Sequence, residues 1–272
     1  VNASDYAIGQ FRFLKTLLLV HGRWNYRRCA LLTNYLFYKN AVLVLPNFFL
    51  GFYALMSGHM FYYDTFYQFF NTIFTSLPIL YVATLDQDVT STVAIRYPQI
   101  YRDGIDRVFI THEIFWRWMT EGILSGAIAF FIPLAAFGKM NIVESGKVLG
   151  YYDFGMFVFA LVVLIVQFRL GLEICYWTGI EVVCFTLSLC PGLWFLWYIF
   201  SSHPNLEVAV FVSSYQIYGS YGMVTGEWSC WFTVMLAIVI SISPVLVFLV
   251  GECRVCLIEF LFRIRLVPCE LT

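Results

Sequence analysis

Phe154–Gly171 reads FGMFVFALVVLIVQFRLG. Its only charge is Arg169, close to the end. Hydrocarbon satisfies no backbone hydrogen bond, so such a run must be a helix or part of a closed barrel. Barrel strands alternate apolar and polar residues over about ten positions, whereas this run is continuous. At about 1.5 Å per residue it is long enough to cross a hydrocarbon core of about 30 Å.

Five more runs of this kind flank it, near Leu31 to Tyr53, Phe66 to Leu85, Phe115 to Phe137, Val182 to Phe200 and Trp231 to Val250. The expected fold is therefore an all-α integral membrane protein with six transmembrane helices. Composition agrees: 61% of the 272 residues are hydrophobic and 12% charged, with a mean hydropathy of +0.77. A soluble domain carries about 25% charged residues.

Charge placement orients the bundle, because basic loops stay on the cytosolic side. Arg12, Lys15, Arg23, Arg27 and Arg28 precede the first span, and Arg96, Arg102, Arg107 and Arg117 lie between or beside the second and third. Arg169 ends the fourth, and Arg254, Arg263 and Arg265 follow the sixth. The alternate loops hold only Lys139 and Lys147, so both termini are expected in the cytosol. Residues 1–30 read as a cytosolic connector, 31–250 as the membrane region and 251–272 as a mixed apolar and basic tail. The chain carries no cleavable signal pattern and no initiating Met, and a fragment of something larger is expected.

Lys39 is the one basic residue inside a span. Eight residues beyond Leu31 place it about 12 Å along the helix, too deep for an end anchor. The second span runs back through a tight hairpin and presents Asn71, Thr75 and Pro78 at i, i+4 and i+7, expected to share one face. With Pro46 in the first span they form a polar, proline-broken seam. Pro78 removes a backbone donor, and the carbonyl it frees needs another partner. No Asp or Glu lies between Leu31 and Tyr63 or between Thr65 and Leu85. Cation pumps need carboxylates at that depth, so this seam suits an anionic or zwitterionic substrate.

Other groups carry less. Glu173 and Glu181 read as interfacial, Glu113, Arg117 and Glu121 as helical pairs, and Tyr62, Tyr63, Tyr151, Tyr152, Trp228 and Trp231 as interface belts. Cys253 and Cys256 form a CxxC without further zinc ligands, and His21, His59, His112 and His203 match no metal spacing. No phosphate-cradling or nucleophile-elbow motif is present.

Several stretches together resemble the type-IV P-type ATPases, the phospholipid flippases. Asn2-Ala3-Ser4-Asp5-Tyr6-Ala7-Ile8-Gly9-Gln10-Phe11 and Leu18-Leu19-Val20-His21-Gly22-Arg23-Trp24-Asn25-Tyr26 resemble the segment leading into that family's fifth membrane helix. Phe37-Tyr38-Lys39-Asn40, Phe74-Thr75-Ser76-Leu77-Pro78, Tyr97-Pro98-Gln99-Ile100-Tyr101 and Tyr176-Trp177-Thr178 are similar to later stretches, in the same order. The resemblance implies that the six spans are helices five to ten of ten. It implies ATP-driven movement of phospholipid toward the cytosolic leaflet of a eukaryotic plasma, Golgi or endosomal membrane. Lys39, Asn40 and Asn71 would line the headgroup path, with Thr75, Pro46 and Pro78 beside them. ATP and Mg²⁺ would bind upstream of this chain, and a small glycosylated β-subunit would contact outer loops and the last helix. No nucleic-acid partner is expected. The competing expectations are a six-helix channel or secondary transporter, and a non-catalytic truncated remnant.

Overall fold

The structure, a computed structural model, describes residues 7–137, 150–202 and 218–265, excluding the side chains of 190–192, 249 and 251–265. Asn2 to Tyr6, Lys139, Lys147, His203, the side chains of Cys253, Cys256, Arg254, Arg263 and Arg265, and the end of the tail lie outside the described residues.

Six long helices make up the described fold. We label them α1 (Arg23–Tyr53), α2 (Asp64–Leu85), α3 (His112–Phe137), α4 (Tyr151–Glu173), α5 (Gly179–Leu187, continuing through Ser188–Phe195 and Leu196–Ser202) and α6 (Trp228–Arg265). Among the described residues there is no strand. Among the described residues four helices are long and apolar enough to cross a membrane: α2, α3, α4 and the Trp228–Phe248 part of α6. Two expected spans miss that standard for different reasons. α1 has the length, but Asn34, Lys39, Asn40 and Asn47 make it polar. α5 is broken by a π-helical stretch, Ser188–Phe195.

The connector expected before the first span is itself helical. Phe13–Thr16 and a π-helical turn, Leu17–Gly22, run straight into α1, so the first helix begins well before Leu31.

α4 is apolar all round, which forces it to the centre. Met156 to Val166 are buried without interruption. α1, α3, α6 and the π-helical part of α5 surround it. Phe159 on α4 faces Phe66, Phe70 and Phe74, set four residues apart on α2, with ring centroids 6.0, 6.1 and 5.7 Å away.

α1 and α3 pack closely because α3 turns small residues toward α1. A Cβ on Gly126 would stand 2.8 Å from the Leu45 Cβ, and one on Gly122 would stand 3.3 Å from the Ala41 Cβ. Membrane helices associate through such close backbone approach, since lipid supplies no hydrophobic drive between them. Ser125, between these glycines, accepts hydrogen bonds from the Tyr38 hydroxyl on α1 (3.1 Å) and Ser241 on α6 (2.9 Å), tying three helices at one oxygen.

The α1–α2 turn uses left-handed backbone at Leu55, Met56 and Gly58. It then drives Phe61, Tyr62 and Tyr63 into the core, where Phe61 and Tyr62 stack at 4.6 Å. Tyr62 and Tyr63 are thus core residues, not an interface belt, because the turn folds back under the helices. Trp228 does stay exposed.

Candidate functional site

Lys39 lies on the face of α1 that meets α2, and is buried. Its Nζ donates to Thr75 Oγ1 at 3.0 Å and lies 5.9 Å from the centre of the Phe70 ring. The Thr75 hydroxyl proton goes to the Phe70 carbonyl at 2.9 Å, which leaves the oxygen's lone pairs for the ammonium. Among the described residues no carboxylate comes within ion-pairing distance of Lys39. A buried cation satisfied by a hydroxyl and a ring face retains uncompensated charge, and therefore attracts anionic groups.

The rest of the seam is divided. Pro46 and Pro78 are buried, whereas Asn40 and Asn71 are exposed. Asn71 is exposed while Thr75 and Pro78 are buried, so the three are not brought together in one buried seam. The helix between them is π-helical over Phe70–Phe74, and the Thr75 N–H bonds five residues back to Phe70 (3.1 Å).

Pro78 accounts for the break. Its ring clashes with the carbonyl four residues earlier, Phe74, and it has no N–H to offer that oxygen. The freed carbonyl is captured from two other helices: the Gln167 amide on α4 and the Ser188 hydroxyl on α5 both donate to it. Gln167 Nε2 also donates to Ser188 Oγ at 2.6 Å. Neither residue stood out in the sequence reading. The available signal was a lone amide inside FGMFVFALVVLIVQFRLG and the unmet demand created by Pro78.

A second polar cluster lies between α3 and α4. Arg169 is almost fully buried, bonded to Glu121 through Nε and Nη2 and to Glu173 at 2.6 Å, with its guanidinium 4.0 Å from the centre of the Trp118 ring. Arg117 sits 3.8 Å from Glu121 and stacks on Phe248 of α6 at 4.0 Å. Arg169 and Glu173 therefore belong to an internal charge network, in which each supplies the counter-charge the other needs to be buried.

One end of the bundle is closed by arginines. Arg23 bonds Asp88 (2.5 Å), Asp103 (3.3 Å) and the Ile100 carbonyl (3.4 Å), while Arg27 bonds Asp86 (2.9 Å). Asp86 is buried and also accepts from the backbone N–H groups of Cys175 (3.2 Å) and Tyr176 (3.1 Å). The α2–α3 connection, with its short helices Ser91–Arg96 and Arg102–Ile105, is thus fastened to α1 and to the α4–α5 turn. Glu181, in the first turn of α5, is buried with neither carboxylate oxygen bonded among the described residues. It is buried against the bundle and does not face outward.

Residues 1–255 match the family model described as Phospholipid-translocating P-type ATPase C-terminal. The chain is 32% identical over 248 residues to Phospholipid-transporting ATPase ID of Homo sapiens, covering 91% of this chain and 20% of that protein. It is 33% identical over 245 residues to Phospholipid-transporting ATPase IC of Homo sapiens, covering 90% and 19%. To Phospholipid-transporting ATPase DNF2 of Saccharomyces cerevisiae it is 38% identical over 201 residues, covering 72% and 12%. The chain therefore spans a fifth or less of the length of these relatives.

Proposed function

This chain belongs to the phospholipid-translocating P-type ATPases, as their C-terminal region, and we propose that it forms the membrane half of an ATP-driven flippase. The flippase carries phospholipid from the outer or lumenal leaflet to the cytosolic leaflet. The observation that carries this reading is the buried Lys39 ammonium, bonded to Thr75 and facing no carboxylate among the described residues. That arrangement suits a lipid phosphate and not a dehydrated cation, which needs hard oxygen ligands with counter-charge.

In this reading all six helices span the membrane, with the arginine-rich end in the cytosol. Residues 1–30 form the stalk, 31–250 the membrane region and 251–272 the tail. Lys39, Thr75, Pro46 and Pro78 line the headgroup path from within. Asn40 and Asn71, exposed on this chain, face the lipid or the remainder of the intact protein. A glycosylated β-subunit docks on the outer loops. ATP and Mg²⁺ bind elsewhere in the intact protein. The residues present do not fit either: the sequence has no phosphate-cradling motif, and among the described residues no three His, Cys, Asp or Glu side chains come together. No step of the cycle is therefore assigned to them here.

The test is Lys39→Ala in the full-length protein. It is expected to slow lipid-stimulated dephosphorylation more than phosphorylation by ATP. Unchanged lipid activation across a panel of headgroups removes Lys39 from the path.

A further inference from the structure

We infer that Gln167 and Ser188 are positioning residues for the lipid path: by capturing the Phe74 carbonyl that Pro78 frees, they hold Thr75 where it meets Lys39. The inference rests on the function proposed above and adds two residues from helices that do not contribute to the seam itself.

The argument is one of donors and acceptors. Each end of the π-helical segment carries a carbonyl that regular helix geometry leaves unmet. The Phe70 oxygen is met by Thr75, through both its N–H and its hydroxyl. The Phe74 oxygen is met by Gln167 and Ser188. Thr75 follows Phe74 directly, so its backbone is pinned on both sides, and its hydroxyl has one orientation left toward Lys39.

Gln167 is fully buried in an otherwise apolar stretch of α4, where an amide is costly unless bonded. Both Nε2 protons are used, one on the Phe74 carbonyl and one on Ser188 Oγ. The amide assignment follows from chemistry, because of the amide's two ends only the NH2 can donate to a carbonyl. Oε1 has no partner among the described residues.

The inference is tested in the full-length protein with lipid-stimulated ATPase activity. Q167L keeps the side chain's bulk and removes its donors. It is expected to raise the half-activating lipid concentration about tenfold with a smaller change in maximal rate, the scale expected when both buried donors are lost while Ser188 still meets the Phe74 carbonyl. S188A is expected to raise it about threefold, and S188T, which keeps the hydroxyl, to restore the wild-type value. If Gln167 acts through Thr75, Q167L adds little to T75A in the double variant. Additive losses, or an S188T protein as impaired as S188A, overturn the inference. Should Q167L fail to fold, the Ser188 pair decides alone. A wild-type protein without lipid stimulation overturns both this inference and the function it rests on. A lipid-stimulated wild type with unaffected variants overturns this inference only.

Discussion

Arg169 on α4 grips Glu121 on α3 through two nitrogens, Nε at 3.1 Å and Nη2 at 3.0 Å, both on the same carboxylate oxygen. With Glu173 on its other side, and Arg117 3.8 Å from Glu121, two guanidiniums balance two carboxylates. Breaking a buried pair from one side is far worse than replacing all of it by apolar groups, because the remaining charge loses its solvation twice over. Arg169→Leu is therefore expected to destabilise the full-length protein by about 3–5 kcal/mol. Arg169→Leu combined with Glu121→Leu and Glu173→Gln is expected to recover most of the loss. Thermal unfolding of the purified protein in detergent reads both, and a triple variant no better than the single one refutes the charge argument.

Glu181 is buried with neither carboxylate oxygen bonded among the described residues. Burying an unpaired carboxyl is costly, so Glu181→Gln is expected to leave the melting temperature of the full-length protein unchanged or raise it. A lowered melting temperature contradicts the assignment.

Glycine substitutions separate close approach from open space. A Cβ on Gly155 would fall 1.9 Å from the Phe61 carbonyl oxygen, a backbone atom that cannot swing aside. Gly155→Ala is expected to cost at least 1–3 kcal/mol, the range for forcing atoms into a packed interior. A Cβ on Gly222 meets nothing within 4 Å. Gly222→Ala is expected to be neutral or slightly stabilising, since it lies within a short helix. Comparable losses at both positions in a thermal-shift measurement refute the packing.

The helices were legible because a membrane-spanning run is written in one property over many residues. That Lys39 and the Asn71–Pro78 stretch lie at one depth is legible, since a charge inside a span next to an antiparallel partner has few places to go; that Thr75 is its partner is not. The exposure of Asn71 is not legible, because spacing at 3.6 residues per turn does not announce the π-helical segment Phe70–Phe74. Pro78 announced a freed carbonyl, yet which residues satisfy it is a tertiary fact, and Gln167 and Ser188 lie 93 and 114 positions from Phe74. Arg169 is visible in the sequence only as the basic residue that ends the fourth run. Its partner Glu121 sits on another helix, where no local spacing reveals it.

α1 is regular from Arg23 until Pro46, with the π-helical turn Leu17–Gly22 before it. Arg23 and Arg27 fasten one end of this helix to the α2–α3 connection, and Lys39 lies sixteen residues beyond Arg23, about 24 Å away at the helical rise. The loop clasped by the arginines and the ammonium in the seam are therefore carried by one uninterrupted helix.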